Sequence, residues 1–361
     1  MASAGVGASV ETALEVLREQ VRAAAAARRP LRLRGAGTKD FYGEALEGEV
    51  LELRAYGGIV DYEPSELVIT ARCGTRLSEI VGALAARGQE LAFEPPTFDG
   101  DPTIGGVIAA GLSGPRRPYA GAARDFVLGA KLLTASGEVL RFGGQVMKNV
   151  AGFDVARLLC GSLGILGVIT EVSLKVLPAS RAEETLRLEL REGEAIAAFN
   201  RWAGAPVPLS ATAWWRGCGW VRLSGAPTAV RAACTQLGGE RVGAAEAADF
   251  WRALRDCRLG FLERAPLWRV SLPSTAAPLA DLGETLIDWG GAVRWYAQAA
   301  PGVDVRERAV AAGGTAQCWR GAAAGMRFHP LPEAVAGLHR RLKAHFDPLG
   351  IFNPGRLVTG L

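Results

Sequence analysis

The chain has 361 residues, 49% of them hydrophobic and 22% charged, and its 41 basic and 37 acidic side chains leave a formal net charge of +4. That length supports two or three domains with cores of their own, and the charge balance is too even for a nucleic-acid surface. No run of about eighteen apolar residues offers a membrane span.

The N-terminal stretch MASAGVGASVETALEVLREQ has no basic segment ahead of an apolar one, so no secretion signal is expected and the compartment expected is the cytoplasm. Apolar residues Val10, Ala13, Leu14, Leu17, Val21 and Ala24 then mark one helical face, ending at Arg28-Arg29-Pro30. A strand runs directly into a glycine loop in LRLRGAGTKDFYG. A dinucleotide turn would need a third glycine sooner and a helix-periodic run behind it, and a Walker loop would need Gly-Lys-Ser/Thr. What remains is either an anion-binding loop of backbone N–H groups, helped by Thr38 and Lys39, or a solvated tight turn.

A second strand, LVITARCG, leads into a helix over TRLSEIVGALAARG, with Leu77, Ile80, Val81 and Leu84 inward and Gly88 closing it. EPPTFDGDPTIGGVIAAGLSG is too rich in Gly, Pro and Asp for regular structure and too apolar for a linker, the profile of a functional loop. FVLGAKLLTASGEVLRFGG reads as two strands about an Ala-Ser-Gly-Glu turn. Asp154 is placed to cap a short helix with Val155, Leu158 and Leu159 inward; Gly161 ends it, and GVITEVSLKVLP is a long strand.

From about Ser180 the pattern is α+β with two similar passages, each a strand, a helix and a returning strand. Trp268, Arg269, Trp289, Arg294 and Trp295 fall in the second passage, a composition that suits a protein interface, a carboxylate site or ordinary strand packing. Near the C-terminus a helix with an inward stripe of Val335, Leu338, Leu342 and Phe346 carries His339 and His345, six apart and so not a ligand pair on one face. Six cysteines, Cys73, Cys160, Cys218, Cys234, Cys257 and Cys318, include no Cys-x-x-Cys pair, which argues for reduced thiols and against an iron–sulfur cluster.

Taken together and in order, RGAGTK, DPTIGGVIAAG, ARDFVLGAKLLTASGE, KNVAGFDVARLLCGSLGILGVITEV and FDPLGIFNPGRL resemble the FAD-binding fold of the vanillyl-alcohol oxidase and p-cresol methylhydroxylase (PCMH) superfamily. SGPRRPYAG, LWRVSLPS and LIDWGGAVRW are similar to the smaller flavin-type subunit of bacterial three-subunit glycolate oxidases. The resemblance implies an α+β chain: a PCMH-type FAD-binding domain over 1–179, split at 56/57 into two subdomains, an inserted ferredoxin-like cap over 180–328, and a segment over 329–361 returning to the FAD domain. It implies an FAD-binding subunit of an enzyme oxidising glycolate to glyoxylate, beside a larger FAD-containing subunit and an iron–sulfur subunit. The complex would be cytoplasmic or peripheral at the inner membrane. A self-sufficient FAD-dependent 2-hydroxy acid dehydrogenase and a non-redox scaffold are the alternatives.

Under this resemblance Arg34, Gly35, Ala36, Gly37, Thr38 and Lys39 would flank one side of the FAD pyrophosphate and Thr103, Ile104, Gly105 and Gly106 the other. Pro96, Ala109, Ala110 and Gly111 would leave room for the flavin, and Gly161, Gly164, Gly167 and Ile169 would approach the cofactor closely. Lys148, Asn149 and Asp154 would lie at the flavin edge, where a positive charge beside N1 and O2 would favour the reduced ring. The first loop offers no histidine or cysteine, so FAD is expected to be non-covalent. No metal is expected. For catalysis the candidates are Arg116, Arg117 and Lys148, and no substrate base is visible.

Overall fold

The computed structural model describes residues 3–144, 154–297, 303–321 and 326–358, of which 3–10 by backbone alone. Helix α1 (Ser3–Ala26) presents Leu17, Val21 and Ala24 to the parallel strands β1 (Leu31–Arg34) and β2 (Glu49–Glu52), which pair from Leu31↔Glu49 to Arg34↔Glu52. Only Leu51 of β2 turns inward, so this strand carries almost no apolar signal.

The second subdomain runs β3 (Ile59–Glu63), β4 (Val68–Arg72), α2 (Leu77–Ala85), β5 (Gln89–Glu90), α3 (Ile104–Ala110), α4 (Arg117–Ala120), α5 (Ala123–Phe126), β6 (Val127–Leu133), β7 (Val139–Gly143), α6 (Val155–Leu159), β8 (Val168–Lys175) and β9 (Leu177–Pro178). Its antiparallel sheet has the order β3-β4-β8-β6-β7. Central β8 is buried on both faces, so Thr170 and Ser173 are shielded along with Val168, Ile169, Val172 and Leu174.

The cap contains β10 (Ala182–Glu189), α7 (Glu192–Ala203), β11 (Leu209–Trp215), β12 (Cys218–Gly225), α8 (Pro227–Leu237), β13 (Glu240–Val242), α9 (Ala244–Arg255), β14 (Leu267–Ser271), β15 (Thr285–Asp288), β16 (Val293–Ala297), α10 (Val305–Ala311) and β17 (Thr315–Arg320). Its strands form one antiparallel sheet, β13-β10-β12-β11-β15-β16-β14-β17. Each half follows the ferredoxin-like order, fourth strand, first, third, second. The two second strands, β11 and β15, join the halves, with Ala213 opposite Asp288. Helix α11 (Glu333–Phe346) then brings the chain back to the first subdomain, where Phe352 bridges Leu31 and the Leu31 N–H donates to the Ile351 carbonyl at 2.6 Å.

Several local expectations are corrected. The segment expected to lack regular structure contains α3, because Gly105 lets the helix press against Cys73, where an added Cβ would lie 2.6 Å from the cysteine's own, and left-handed Gly111 closes it. Val81 and Leu158 face outward; α2 is held by Leu77, Ile80 and Leu84, and α6 by Ala156 and Leu159. The helix expected after LWRVS is a single 3₁₀ turn at Ala280–Leu282, in a stretch where Pro273 and Pro278 remove helix donors. On α11, Val335 and Leu338 are exposed, and the most buried side chain is that of Lys343.

Candidate functional site

Four segments distant in sequence meet at one cleft. The loop after β1 contributes Arg34 to Asp40, α3 contributes Thr103, Gly105, Gly106, Ala109 and Ala110, and the turn before β8 contributes Leu163, Gly164, Gly167 and Ile169. The returning tail contributes Asn353 and Arg356.

Close approach requires the glycines. A Cβ on Gly35 would lie 2.1 Å from Thr103 Oγ1, so only glycine lets the first two segments touch. Gly164, with φ of +74°, has the Asn353 amide 2.9 Å from where its Cβ would stand.

The tail is stitched in by polar side chains. Asn353 accepts from the Leu33 N–H at 2.8 Å and donates to the Leu163 carbonyl at 2.6 Å, tying β1 to the third segment. Arg356 donates to the carbonyls of Lys39, Asp40, Tyr42 and Glu44, shaping the first loop from behind; burial lowers its guanidinium to about 10. The buried Lys343 ammonium donates to the carbonyls of Ile165 and Phe352, both at 2.7 Å, and to Asp347 at 2.6 Å.

The cleft is electropositive and short of acceptors. Among the described residues Lys39 forms no ion pair; its ammonium donates to Thr38 Oγ1 at 3.3 Å, and burial pulls its pKa down to about 8. The N–H groups of Ala36, Gly37, Thr38 and Lys39 donate to no protein acceptor among the described residues. A half-buried cation and a row of free amides, between walls too close for side chains, fit a diphosphate. Arg34, by contrast, is engaged by Asp40 and Glu52. Cys73 also lines the cleft, but burial pushes its thiol up to about 12, far from a thiolate.

The chain passes from Ala110 in this wall to Gly111 in the wall of a second space, a chamber of about 420 Å³ between the two domains. Pro96, Phe98, Gly111 and Arg117 line it from one side and Arg255, Arg269, Asp288, Trp289, Trp295 and Trp319 from the cap. Arg117 and Arg269 both stack over the Trp289 ring, at 4.4 and 4.7 Å from its centre. The Asp288 carboxylate accepts from the Trp289 N–H at 2.7 Å, and burial raises its pKa to about 7.

The remaining expected residues lie elsewhere. Ile104 is fully buried in the core, and Gly161 packs behind Gly111. Asp154 caps α6 and pairs with Arg157 at 3.0 Å, lining neither space. Arg116, expected near an anion, is instead buried in pairs with Glu90 and Glu183. Lys148 and Asn149 lie outside the described residues. Asn353, Arg356 and Asp288 were not singled out in the sequence; the tail motif FDPLGIFNPGRL and LIDWGGAVRW contained them without marking them.

An FAD binding domain family matches residues 10–143. The chain is 46% identical to the glycolate oxidase subunit GlcE of Escherichia coli (strain K12), over 96% of this chain and 98% of that protein. It is 34% identical to the glycolate oxidase subunit GlcD of Bacillus subtilis (strain 168), over 44% of this chain and 34% of that protein. Among solved structures, an alkyldihydroxyacetonephosphate synthase superposes with a TM-score of 0.66 at 15% identity, covering 95% of this chain and 76% of that one, a likeness of fold alone. Identity sustained along nearly the whole of both sequences places this chain in the glycolate oxidase subunit GlcE family.

Proposed function

We propose that the chain is the FAD-binding subunit of a multi-subunit glycolate oxidase, working beside a larger flavin subunit and an iron–sulfur subunit. The observation that carries this reading is the convergence of three glycine segments and the tail on one cleft, where among the described residues Lys39 has no ion pair and the loop amides no protein acceptor. In this reading residues 35–39 and 103–106 hold the pyrophosphate, Lys39 neutralises part of its charge, and Ile169 and Gly164 border the rest of the cofactor. FAD, when bound, would supply a two-electron acceptor for the carbon bearing the hydroxyl. With no histidine lining the cleft among the described residues and Cys73 held as a thiol, the cofactor is non-covalent.

The relatives named as glycolate oxidase subunits support partner chains, and no described helix is long and apolar enough to cross a membrane. We place the complex in the cytoplasm or at the inner face of a membrane through its partners. The division into 1–56, 57–179, 180–328 and 329–361 belongs to the same proposal.

The test is the visible spectrum of the purified chain, taken before and after anaerobic glycolate, with and without the larger subunit. A flavin spectrum released by acid, bleached only when the larger subunit is present, is the expected result. Colourless protein that takes up no FAD would overturn it. A self-sufficient dehydrogenase is the second reading, favoured by the chamber beside the cleft; bleaching without any partner would establish it.

A further inference from the structure

Helix α11 carries an apolar stripe that the chain leaves half uncovered. Val335, Leu338 and Leu342 recur at intervals of three and four, the spacing of a seam between two helices. The chain grips this helix by its last turn, where Phe346 packs on Phe142 at 6.2 Å between ring centres and Lys343 bonds to the turn before β8 and to the tail. Further up the helix Val335 is 37% exposed and Leu338 51%. One turn from Val335, His339 lines an open groove of about 300 Å³ together with Phe328, Leu331, Pro332, Leu357 and the cap's Ala316. Apolar surface left in water along both stripe and groove favours a partner that covers it. The charges beside the seam are of one sign. On the far side of the helix Arg340 is neutralised by Glu333, the single acid of α11. Arg341, which flanks Leu338 and Leu342, forms no ion pair among the described residues, and His339 and His345 border the seam.

We propose that this face docks an amphipathic helix of a partner subunit, with an apolar seam laid on Val335, Leu338 and Leu342 and carboxylates opposite Arg341 and the two histidines. A stripe one helix wide fits another helix, whereas a lipid surface takes a broad apolar face rich in large side chains. That the partner belongs to the same complex rests on the multi-subunit reading; the docking face stands on the uncovered stripe and its charge.

The test is the affinity of the purified full chain for the co-purified larger flavin and iron–sulfur subunits, measured by biolayer interferometry, with flavin content and thermal unfolding recorded on the same samples. Leu338→Glu and Arg341→Glu should each weaken assembly about tenfold or more, while Val310→Glu, an exposed apolar position on α10, should not. Folding and flavin content should match wild type in all three, because these side chains face water. Unchanged assembly in either α11 variant would overturn the proposal and leave the multi-subunit reading in place. A wild-type chain that elutes alone as a dimer, broken by Leu338→Glu, would give the face to a second copy. Binding to phosphatidylglycerol vesicles that Leu338→Glu abolishes would give it to lipid, and either result overturns the proposal. A wild-type chain that forms no complex with these subunits would count against the multi-subunit reading and against this docking together.

Discussion

Arg222, on the third strand of the cap's first half, and Glu94, in the loop before α3, meet at 2.8 Å across the domain boundary. Both are shielded, the arginine side chain being 5% exposed and the carboxylate 19%, and Glu94 also accepts from the Arg116 N–H at 2.9 Å. Arg222 stacks against Trp251 as well, a second contact that holds the cation on the cap.

Removing one member of this pair leaves a buried charge alone. Glu94→Leu should destabilise the chain by about 3–5 kcal/mol, while Glu94→Leu combined with Arg222→Met should cost clearly less. Urea denaturation of the two variants checks this; equal losses would show that the pair does not hold the cap.

Lys39 makes FAD binding dependent on pH. Its ammonium has a pKa of about 8 in the open cleft, and only the charged form attracts a diphosphate. FAD affinity should therefore fall as pH rises through about 8, and Lys39→Met should weaken binding about tenfold and remove that fall. Quenching of free FAD fluorescence between pH 6.5 and 9.5 measures both.

Asp288 links stability to pH in the opposite half of the range. Its folded pKa of about 7 stands above the ordinary 3.8, so the folded chain retains a proton that the unfolded chain releases. Stability from this group is fully present below about pH 4 and is lost as pH rises through about 7, by at most about 4 kcal/mol. Asp288→Asn should flatten the profile and make the protein more stable than wild type at pH 8; thermal unfolding across pH 5–8 would show it.

Lys343 gathers three oxygens from two segments, the turn before β8 and the tail. Lys343→Met leaves the fully buried Asp347 with only the Ile351 and Phe352 N–H groups, and a loss of about 3–5 kcal/mol is expected. Because Ile165 lies between Leu163 and Gly164 on one side and Gly167 on the other, the same variant should also release FAD more readily, seen as flavin lost on gel filtration.

The glycine segments were legible because their chemistry is local: each carries its own spacing, and the order of the five resembles one fold. Strands β6, β7 and β8 were legible for a similar reason, since short segments rich in apolar residues between turn residues need no partner to be recognised. What failed was whatever depended on a distant contact. Helix α3 has the composition of a loop, and only Cys73, some thirty residues earlier, explains Gly105. Of the periodic stripe on α11 only Phe346 is packed on the core, against Phe142, and the helix is also held by a charged residue whose partners lie on the tail and before β8. Asn353, Arg356 and Asp288 act through bonds to Leu33, Tyr42 and Trp289 or through the space they share, none of which a one-dimensional pattern contains.

The bridge from Phe352 to Leu31 also sets an order of events during synthesis. The strand that opens the cleft is made early, but the groups that fix the loop behind it, Asn353 and Arg356, are translated more than three hundred residues later. A ribosome-bound chain therefore has the cap and the five-stranded sheet before it has a finished cleft, and the cofactor can be captured firmly only after the last helix and tail have emerged from the exit tunnel.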